Sequence, residues 1–201
     1  MMSQQKRFIF VHIPKTAGNS IQNALAPHSE DSINYADFDG KHYNKMGVNN
    51  KQYPLGKHSM LKDYARFYNV HTYTKIVSVR NPWDRMLSWY MFDNKDGEFS
   101  NDGFINFIKR MDPPEMEMFN SQYNFISIDG KPTIDFIIKF ENLQLDFNLV
   151  CDKLFIPRIA LFQLNKSKNS SMDYHNYYND EAKDLVYKIF KNDIEYFEYE
   201  Y

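Results

Sequence analysis

The stretch that most constrains the fold lies near the start of the chain and reads Phe-Ile-Phe-Val-His-Ile-Pro-Lys-Thr-Ala-Gly-Asn-Ser-Ile from residue 8 to residue 21. Residues 8–13 are rich in β-branched and aromatic side chains and too few for a buried helix, which predicts a buried strand. Pro14 ends that strand, and residues 20–25 continue as a helix. A strand, a short turn and a helix therefore follow one another directly.

The turn between this strand and this helix predicts an anion-binding loop. Its side chains from Thr16 to Ser20 are small or hydroxylated, so backbone N–H groups can approach a bound oxyanion, and the helix N-terminus favours negative charge. Lys15 adds a point charge. The P-loop pattern G-x-x-x-x-G-K-[ST] is comparable, but here the lysine precedes Gly18 and no glycine opens the loop.

Composition limits the size of the fold and the kinds of partner. A chain of 201 residues that is 43% hydrophobic and 25% charged suits one compact domain over residues 1–201. A net charge of −2 gives no global field for nucleic acid or an anionic membrane, so an anion site requires a local concentration of Lys and Arg. We therefore expect no nucleic-acid partner. The single Cys151 predicts a core residue and fits a reducing compartment.

Hydropathy gives no sign of a membrane segment. No apolar run approaches the roughly 20 residues of a transmembrane helix, and the residues before position 8 lead into the first strand without the pattern of a signal peptide. We expect a soluble protein with no stable membrane insertion and a cytoplasmic location.

A second strand followed by a helix is predicted between residues 75 and 92. The sequence Lys-Ile-Val-Ser-Val-Arg at 75–80 has the composition of a buried strand. Asn81 is a good N-cap and Pro82 fits the first helical position. The strand therefore passes almost immediately into a helix.

Three side chains that can bind phosphate are predicted to converge at this second turn. Arg85 and Ser88 lie three residues apart and share a helix face, while Arg80 lies at the carboxyl end of the strand. The alternative is that the two arginines form ordinary ion pairs with acids such as Asp84 or Glu141.

Strands that alternate with helices predict an α/β fold with a central parallel sheet flanked by helices, in which ligands bind at the carboxyl ends of the strands. A tight turn is predicted at Asp129-Gly130. The remaining predicted elements are helices over 61–68, 102–111, 141–155 and from 179 onward, an extended segment over 124–134, a strand over 135–140 and polar loops over 28–54 and 163–174.

Apolar spacing assigns the inward faces of two of these helices. In the helix over 141–155 we expect Leu145, Leu149 and Val150 to face the core. In the last helix the residues expected to bury one face are Leu185, Val186, Ile189, Phe190 and Ile194.

Two separate anion-binding turns indicate a ligand with two anionic ends, and a nucleotide fits this description. A Mg-ATP enzyme needs an acidic metal ligand at a strand end, and neither 8–13 nor 75–80 ends in one. A donor that is used without a metal is therefore the better inference. An ATP-dependent, kinase-like phosphoryl transferase and a non-catalytic nucleotide-binding protein remain as alternatives.

The two turns resemble the binding motifs of a known enzyme family. His-Ile-Pro-Lys-Thr-Ala-Gly-Asn-Ser at 12–20 resembles the 5′-phosphosulfate loop, and Arg-Asn-Pro-Trp-Asp-Arg-Met-Leu-Ser-Trp-Tyr at 80–90 the 3′-phosphate motif, of sulfotransferases that use 3′-phosphoadenosine 5′-phosphosulfate (PAPS). The match is to the carbohydrate sulfotransferase type 2 family. Later landmarks of that family follow in the expected order at 56–58, 128–130, 135–143, 164–167 and 177–181.

The resemblance implies a P-loop-like three-layer fold and sulfuryl transfer from PAPS, without a metal, to an acceptor hydroxyl, a carbohydrate being favoured. The positions that would hold the 5′-phosphosulfate are Lys15, Thr16, Ala17, Gly18, Asn19 and Ser20. Arg80 and Ser88 would hold the 3′-phosphate, with Arg85 as a further candidate. Asn19 stands where many members have Thr, and Gln163 where many have His.

The resemblance and the charge requirements together assign two catalytic residues. His58 resembles the histidine proposed as general base in relatives, and an imidazole with a pKa near 6.5 suits that task. Lys15 would stabilise the charge of the leaving phosphate. The alternative for His58 is a surface or capping residue. The polar region 28–54 is our candidate for acceptor contact.

Overall fold

The computed structural model describes residues 1–35, 46–50, 52–94, 97, 99–111, 121–161 and 173–201. The described parts of Met1–Val79 and Phe125–Lys166 form one compact unit, and those of Arg80–Asn124 and Ser167–Tyr201 form another. Organisation as a single domain stays a prediction. The predicted polar loop 163–174 lies outside the described residues up to position 172, including Gln163 and the landmark at 164–167, as does the whole stretch 36–45 within the predicted polar loop 28–54.

The first unit contains β1 (Met2–Ser3), β2 (Phe8–Val11), α1 (Gly18–Leu25), β3 (Ser32–Tyr35), β4 (Met46–Asn49), α2 (Leu61–Ala65), β5 (Thr74–Val79), β6 (Ser127–Ile128), β7 (Lys131–Pro132), β8 (Phe136–Lys139) and α6 (Leu143–Leu154). The second contains α3 (Pro82–Asp93), α4 (Asn101–Arg110), α7 (Asp180–Ile189) and α8 (Lys191–Phe197). The single turn α5 (Gln122–Phe125) lies where the chain returns to the first unit.

The main sheet of the first unit has the strand order β1-β2-β5-β8. β5 pairs in parallel with β2 and with β8, so that Phe8 lies opposite Thr74 and Ile76 opposite Phe136. The predicted parallel sheet is therefore confirmed for three strands. β1 adds a short antiparallel edge, which was not predicted because two residues show no periodicity.

The core of the first unit lies between this sheet and helices α1 and α6. β2 is buried along its whole length, as expected of a strand whose two faces are covered. Cys151 is fully buried, which confirms its prediction as a core residue. The buried residues that form this core are Met1, Phe8, Phe10, Ile21, Ala24, Leu25, Ile76, Ile138, Phe147, Val150, Cys151, Leu154 and Ile156.

The inward face of α6 differs from the prediction. Leu145 and Leu149 are 69% and 59% exposed, whereas Val150 is 1% exposed. The buried face repeats at intervals of three and four residues, as a helix requires, through Phe147, Val150, Cys151 and Leu154. The prediction was wrong for the two leucines because the helix carries apolar residues on two faces, and the sequence does not show which face meets the sheet.

The hairpin β6–β7 confirms the predicted tight turn, because Asp129 and Gly130 have φ angles of 51° and 73°. Positive φ at both central residues is the geometry of the two-residue turns that join antiparallel strands. The extended segment is shorter than predicted, since Asn124 and Phe125 belong to the helical turn α5.

The second unit packs its helices around a core of aromatic and aliphatic side chains. The predicted last helix begins as expected, with the Asn179 side chain accepting a hydrogen bond from the Ala182 N–H at 2.8 Å. It ends at Ile189, and α8 follows as a separate helix. The buried residues of this core are Trp83, Met86, Leu87, Tyr90, Phe104, Ile105, Phe107, Ile108, Met111, Ala182, Val186, Phe190 and Ile194.

The register of α6 predicts unequal effects for two neighbouring substitutions. Val150→Ala removes buried carbon atoms and leaves a small cavity, so it should lower the free energy of unfolding by roughly 2 kcal/mol. Leu149→Ala, at an exposed position one residue away, should change it by less than about 0.5 kcal/mol. Urea titration followed by circular dichroism measures both, and equal losses would contradict the observed register.

Candidate functional site

The loop between β2 and α1 has an unusual backbone. Lys15 and Ala17 have φ angles of 71° and 64°, in the left-handed region, whereas Thr16 between them does not. Alternation of this kind turns successive N–H groups towards one concave side and forms an anion-binding nest. Left-handed backbone at residues other than glycine is strained and is concentrated at ligand-binding loops. The two left-handed residues are consistent with the predicted anion-binding loop, and anion binding itself stays a prediction.

Thr16 fastens this loop to the sheet. Its hydroxyl donates to the Ile13 carbonyl at 2.8 Å and lies 2.7 Å from the Ser78 hydroxyl on β5. A hydroxyl has one donor hydrogen, so Ser78 must be the donor in the second bond. The Thr16 side chain is fully buried. Any contribution of Thr16 to an anion site would therefore come from its backbone N–H.

The start of α1 depends on a close contact between Gly18 and His12. A Cβ atom added at Gly18 would overlap the His12 ring. That ring is 4% exposed, and its Nδ1 lies 2.7 Å from the Gln22 Oε1 on the next turn of α1. Gly18 is thus required because a side chain at this position would collide with His12, the first residue of the motif.

His12 is held in the neutral form by its surroundings. Burial lowers the pKa of its ring well below the usual value near 6.5, and the nearby His58 and Lys57 lower it further. The hydrogen bond with Gln22 acts in the opposite direction and is outweighed. Burial also lowers the pKa of Lys57 to about 8. His12 therefore packs as an uncharged ring at neutral pH.

His58 is exposed and lies beside the end of β2. Its Nδ1 is 3.0 Å from the carbonyl oxygen of His12, and the two rings meet edge to face with their centroids 4.6 Å apart. A carbonyl oxygen only accepts, so Nδ1 carries the proton and Nε2 is the basic nitrogen of the neutral ring. His58 thus occupies the surface position that the sequence analysis gave as the alternative, and its hydrogen bond defines one tautomer. Its catalytic role stays a prediction.

Asn19 and Ser20 complete the first turn of α1. The Ser20 N–H donates to the Ala17 carbonyl at 3.0 Å. The Asn19 Oδ1 is buried and has no hydrogen-bond partner within the described part of the chain. A half-turn of this carboxamide would present its NH₂ donor at the same place, which is the group that an oxyanion requires.

Two acidic residues of the polar region 28–54 have a structural role. Asp31 accepts from the Met2 N–H at 2.8 Å and from Asn50 Nδ2 at 2.9 Å. Glu30 accepts from the Gln4 N–H at 2.8 Å. These carboxylates hold the β1–β2 hairpin. Acceptor contact by the region 28–54 stays a prediction, and its residues 36–45 and 51 lie outside the described residues.

The second motif begins with Arg80, which immediately follows β5 in the chain. Its Nε and Nη2 donate to the two carboxylate oxygens of Asp84 at 2.7 and 2.8 Å. The ion-pair alternative with Asp84 is thus confirmed for this arginine. The predicted cap is also confirmed, since the Asn81 side chain accepts from the Trp83 N–H at 3.0 Å.

Arg85 lies in the interior of the second unit. It is 2% exposed, its guanidinium carbon is 5.3 Å from the centroid of the Trp89 ring, and Asp193 attracts it. Burial lowers the pKa of Arg85 to about 10, so it stays charged at neutral pH. Ser88, one turn further, is partly exposed. Phosphate binding by Arg80, Arg85 and Ser88 stays a prediction.

Comparison with known proteins identifies one family. A family model described as "Sulfotransferase family" matches residues 1–200. No curated protein and no solved structure matches the chain. Within the described ranges there is no cluster of three or more His, Cys, Asp or Glu residues that could hold a metal ion, and no helix that is long and apolar enough to cross a membrane.

The buried neutral ring of His12 predicts a pH-dependent stability. Below about pH 6.5 the unfolded chain binds a proton at this histidine that the folded chain does not bind. The free energy of unfolding should therefore fall as pH falls, by about 1.4 kcal/mol per pH unit, until the lowered pKa of His12 is reached. His12→Asn should lose this component.

Chemical denaturation between pH 5 and pH 8 measures this slope for both proteins. The matched control is His71→Asn, which makes the same substitution at an exposed histidine. A slope that is unchanged in His12→Asn would contradict the assignment.

Proposed function

The chain belongs to the sulfotransferase family, and from that premise we propose that it transfers a sulfuryl group from PAPS to a carbohydrate hydroxyl. The products are PAP, the desulfated nucleotide, and a sulfate ester. The observation that carries the proposal is the loop between β2 and α1, where Lys15 and Ala17 have left-handed backbone immediately before the start of a helix, a setting that favours anions. We extend the proposal to a P-loop-like three-layer fold, supported by the parallel pairing of β2, β5 and β8.

The residues of the loop fit the sulfated end of this nucleotide. The nest at Lys15–Ala17 offers donors to oxyanions without needing a side chain at each position. We assign to the 5′-phosphosulfate the residues Lys15, Thr16, Ala17, Gly18, Asn19 and Ser20, with Thr16 acting through its N–H. We assign to the 3′-phosphate Arg80 and Ser88, with buried Arg85 adding positive charge close to Arg80.

The mechanism uses a base and a stabiliser of negative charge. Bound PAPS would supply the activated sulfuryl group. His58 takes the proton of the acceptor hydroxyl at Nε2, since its Nδ1–H is engaged with the His12 carbonyl. Lys15 and the N–H groups of the loop stabilise the charge that develops on the departing phosphate. The acceptor oxygen forms its bond to sulfur as the bond from sulfur to that phosphate oxygen breaks.

The donor and the transfer are tested in two steps. Calorimetry should show binding of PAP without magnesium and much weaker binding of Mg-ATP. Radiolabelled sulfate should then pass from PAPS to at least one member of a glycan panel. Tight Mg-ATP binding with no PAP binding would instead indicate a kinase-like phosphoryl transferase, and PAP binding without any transfer would indicate a non-catalytic nucleotide-binding protein.

Removal of the proposed base should affect turnover more than binding. His58→Ala should lower kcat by about 10²–10⁴-fold because general-base assistance is lost. PAP affinity should change little, since this role concerns the acceptor proton.

The matched control is His71→Ala, because His71 is an exposed histidine in a 3₁₀ turn before β5, at the amino end of that strand. It should keep the parent kcat. Wild-type turnover in His58→Ala on the true acceptor would remove His58 from the mechanism.

A further inference from the structure

The backbone of Arg80 is held by the side chain of a residue far away in sequence. The Arg80 N–H donates to Gln122 Oε1 at 2.9 Å, and Gln122 Nε2 donates to the Arg80 carbonyl, also at 2.9 Å. The carboxamide thus pairs with both polar groups of one residue. Gln122 is fully buried, and in an environment of low polarity such bonds are strong and costly to leave unmade.

Arg80 needs this partner because of its place in the chain. β5 ends at Val79 and α3 begins at Pro82, so Arg80 belongs neither to the strand nor to the helix. Its backbone groups therefore lie outside the regular ranges of both elements, and buried backbone groups require some partner. Gln122 supplies a partner for both the N–H and the carbonyl group of Arg80.

Gln122 is in turn held by a buried carboxylate. Asp193 accepts from the Gln122 N–H and the Tyr123 N–H, both at 2.8 Å, and from the Ser121 hydroxyl at 2.9 Å. Asp193 is fully buried in the first turn of α8. Three donors on one carboxylate fix the direction in which the Gln122 side chain leaves its backbone. The position of Arg80 is thus set from α8 through Gln122.

The guanidinium of Arg80 is oriented separately. Asp84 accepts from its Nε and Nη2, which is a paired, planar contact. Backbone and side chain are therefore fixed by different groups: Gln122 sets where the side chain starts, and Asp84 sets which way it points. Recognition of a phosphate by a guanidinium depends on both.

We propose that Gln122 is a positioning residue for the recognition of the 3′-phosphate by Arg80, held in place by Asp193. The inference rests on the proposed function, since it takes PAPS as the ligand and Arg80 as the group that binds its 3′-phosphate. Gln122 itself touches only protein in this role.

The test compares two nucleotides that differ only in the 3′-phosphate. Calorimetry gives the ratio of the affinities for PAP and for 5′-AMP, which is the selectivity for that phosphate. Gln122→Ala should lower this ratio roughly tenfold or more, because a misplaced arginine loses its contact. Affinity for 5′-AMP should stay within about twofold of the parent value in this variant, because that nucleotide lacks the phosphate that Arg80 binds.

Two further variants separate positioning from folding. Gln122→Met keeps the length of the side chain and removes both hydrogen bonds, and it should lower the ratio as Gln122→Ala does. The matched control is Gln144→Met, because Gln144 also pairs with backbone on both sides, accepting from the Leu161 N–H at 2.8 Å and donating to the Ile159 carbonyl at 3.0 Å. It should lose stability without any change in the ratio.

A double-mutant cycle tests whether Gln122 acts through Arg80. In the Arg80→Ala background, Gln122→Met should cause no further loss of selectivity, because the group that it positions is already absent. An additional loss of the same size would overturn the proposal.

The nucleotide preference of the parent protein and that of the Gln122 variants distinguish failure of the proposed function from failure of the positioning role. If the parent protein shows no preference for PAP over 5′-AMP, the proposed function fails, and this inference with it. If the parent shows the preference and Gln122→Met keeps it, only the positioning role fails. If neither Gln122 variant folds, Gln122 serves the fold itself and the positioning role is likewise overturned.

Discussion

The proposed anion site of the first unit depends on a loop whose backbone is left-handed at Lys15 and Ala17, two residues that are not glycine. Such a conformation costs roughly 1–2 kcal/mol per residue and persists only where surrounding contacts enforce it. Here Thr16 supplies them by bonding to the Ile13 carbonyl, just after β2, and to Ser78 on β5. The parallel pairing of β2 with β5 thus supports the loop that we propose as the anion-binding site.

The two histidines beside this loop, His12 and His58, differ in burial and therefore in role. His12 is buried and uncharged, and its ring occupies the space that the absence of a side chain at Gly18 leaves open. Its carbonyl oxygen fixes the tautomer of His58, which is exposed and presents Nε2 as the basic nitrogen. The buried His12 therefore orients the ring of His58, the proposed catalytic base, while its own ring stays uncharged at neutral pH.

In the second motif, too, the residues that hold a side chain in place differ from the residue that we propose to bind the ligand. Arg80 lies between a strand and a helix, so its position comes from Gln122 on the backbone side and from Asp84 on the side-chain side. Asp193 places Gln122 and also attracts Arg85, whose buried charge needs a counter-charge. One carboxylate thereby supports both arginines of the motif.

The sequence by itself determined what depends on neighbouring residues: the first long strand, predicted over 8–13 and observed over Phe8–Val11, the helix after Asn81, the turn at Asp129-Gly130 and the small side chains of the loop. Apolar runs, caps and turn residues act within a few positions, so they can be read directly. Tertiary structure decided that α6 buries Val150 rather than Leu149, that His12 is neutral, and that Gln122 holds Arg80. Those outcomes depend on partners such as Gln122, 42 residues from Arg80, and no local pattern encodes contacts over that distance.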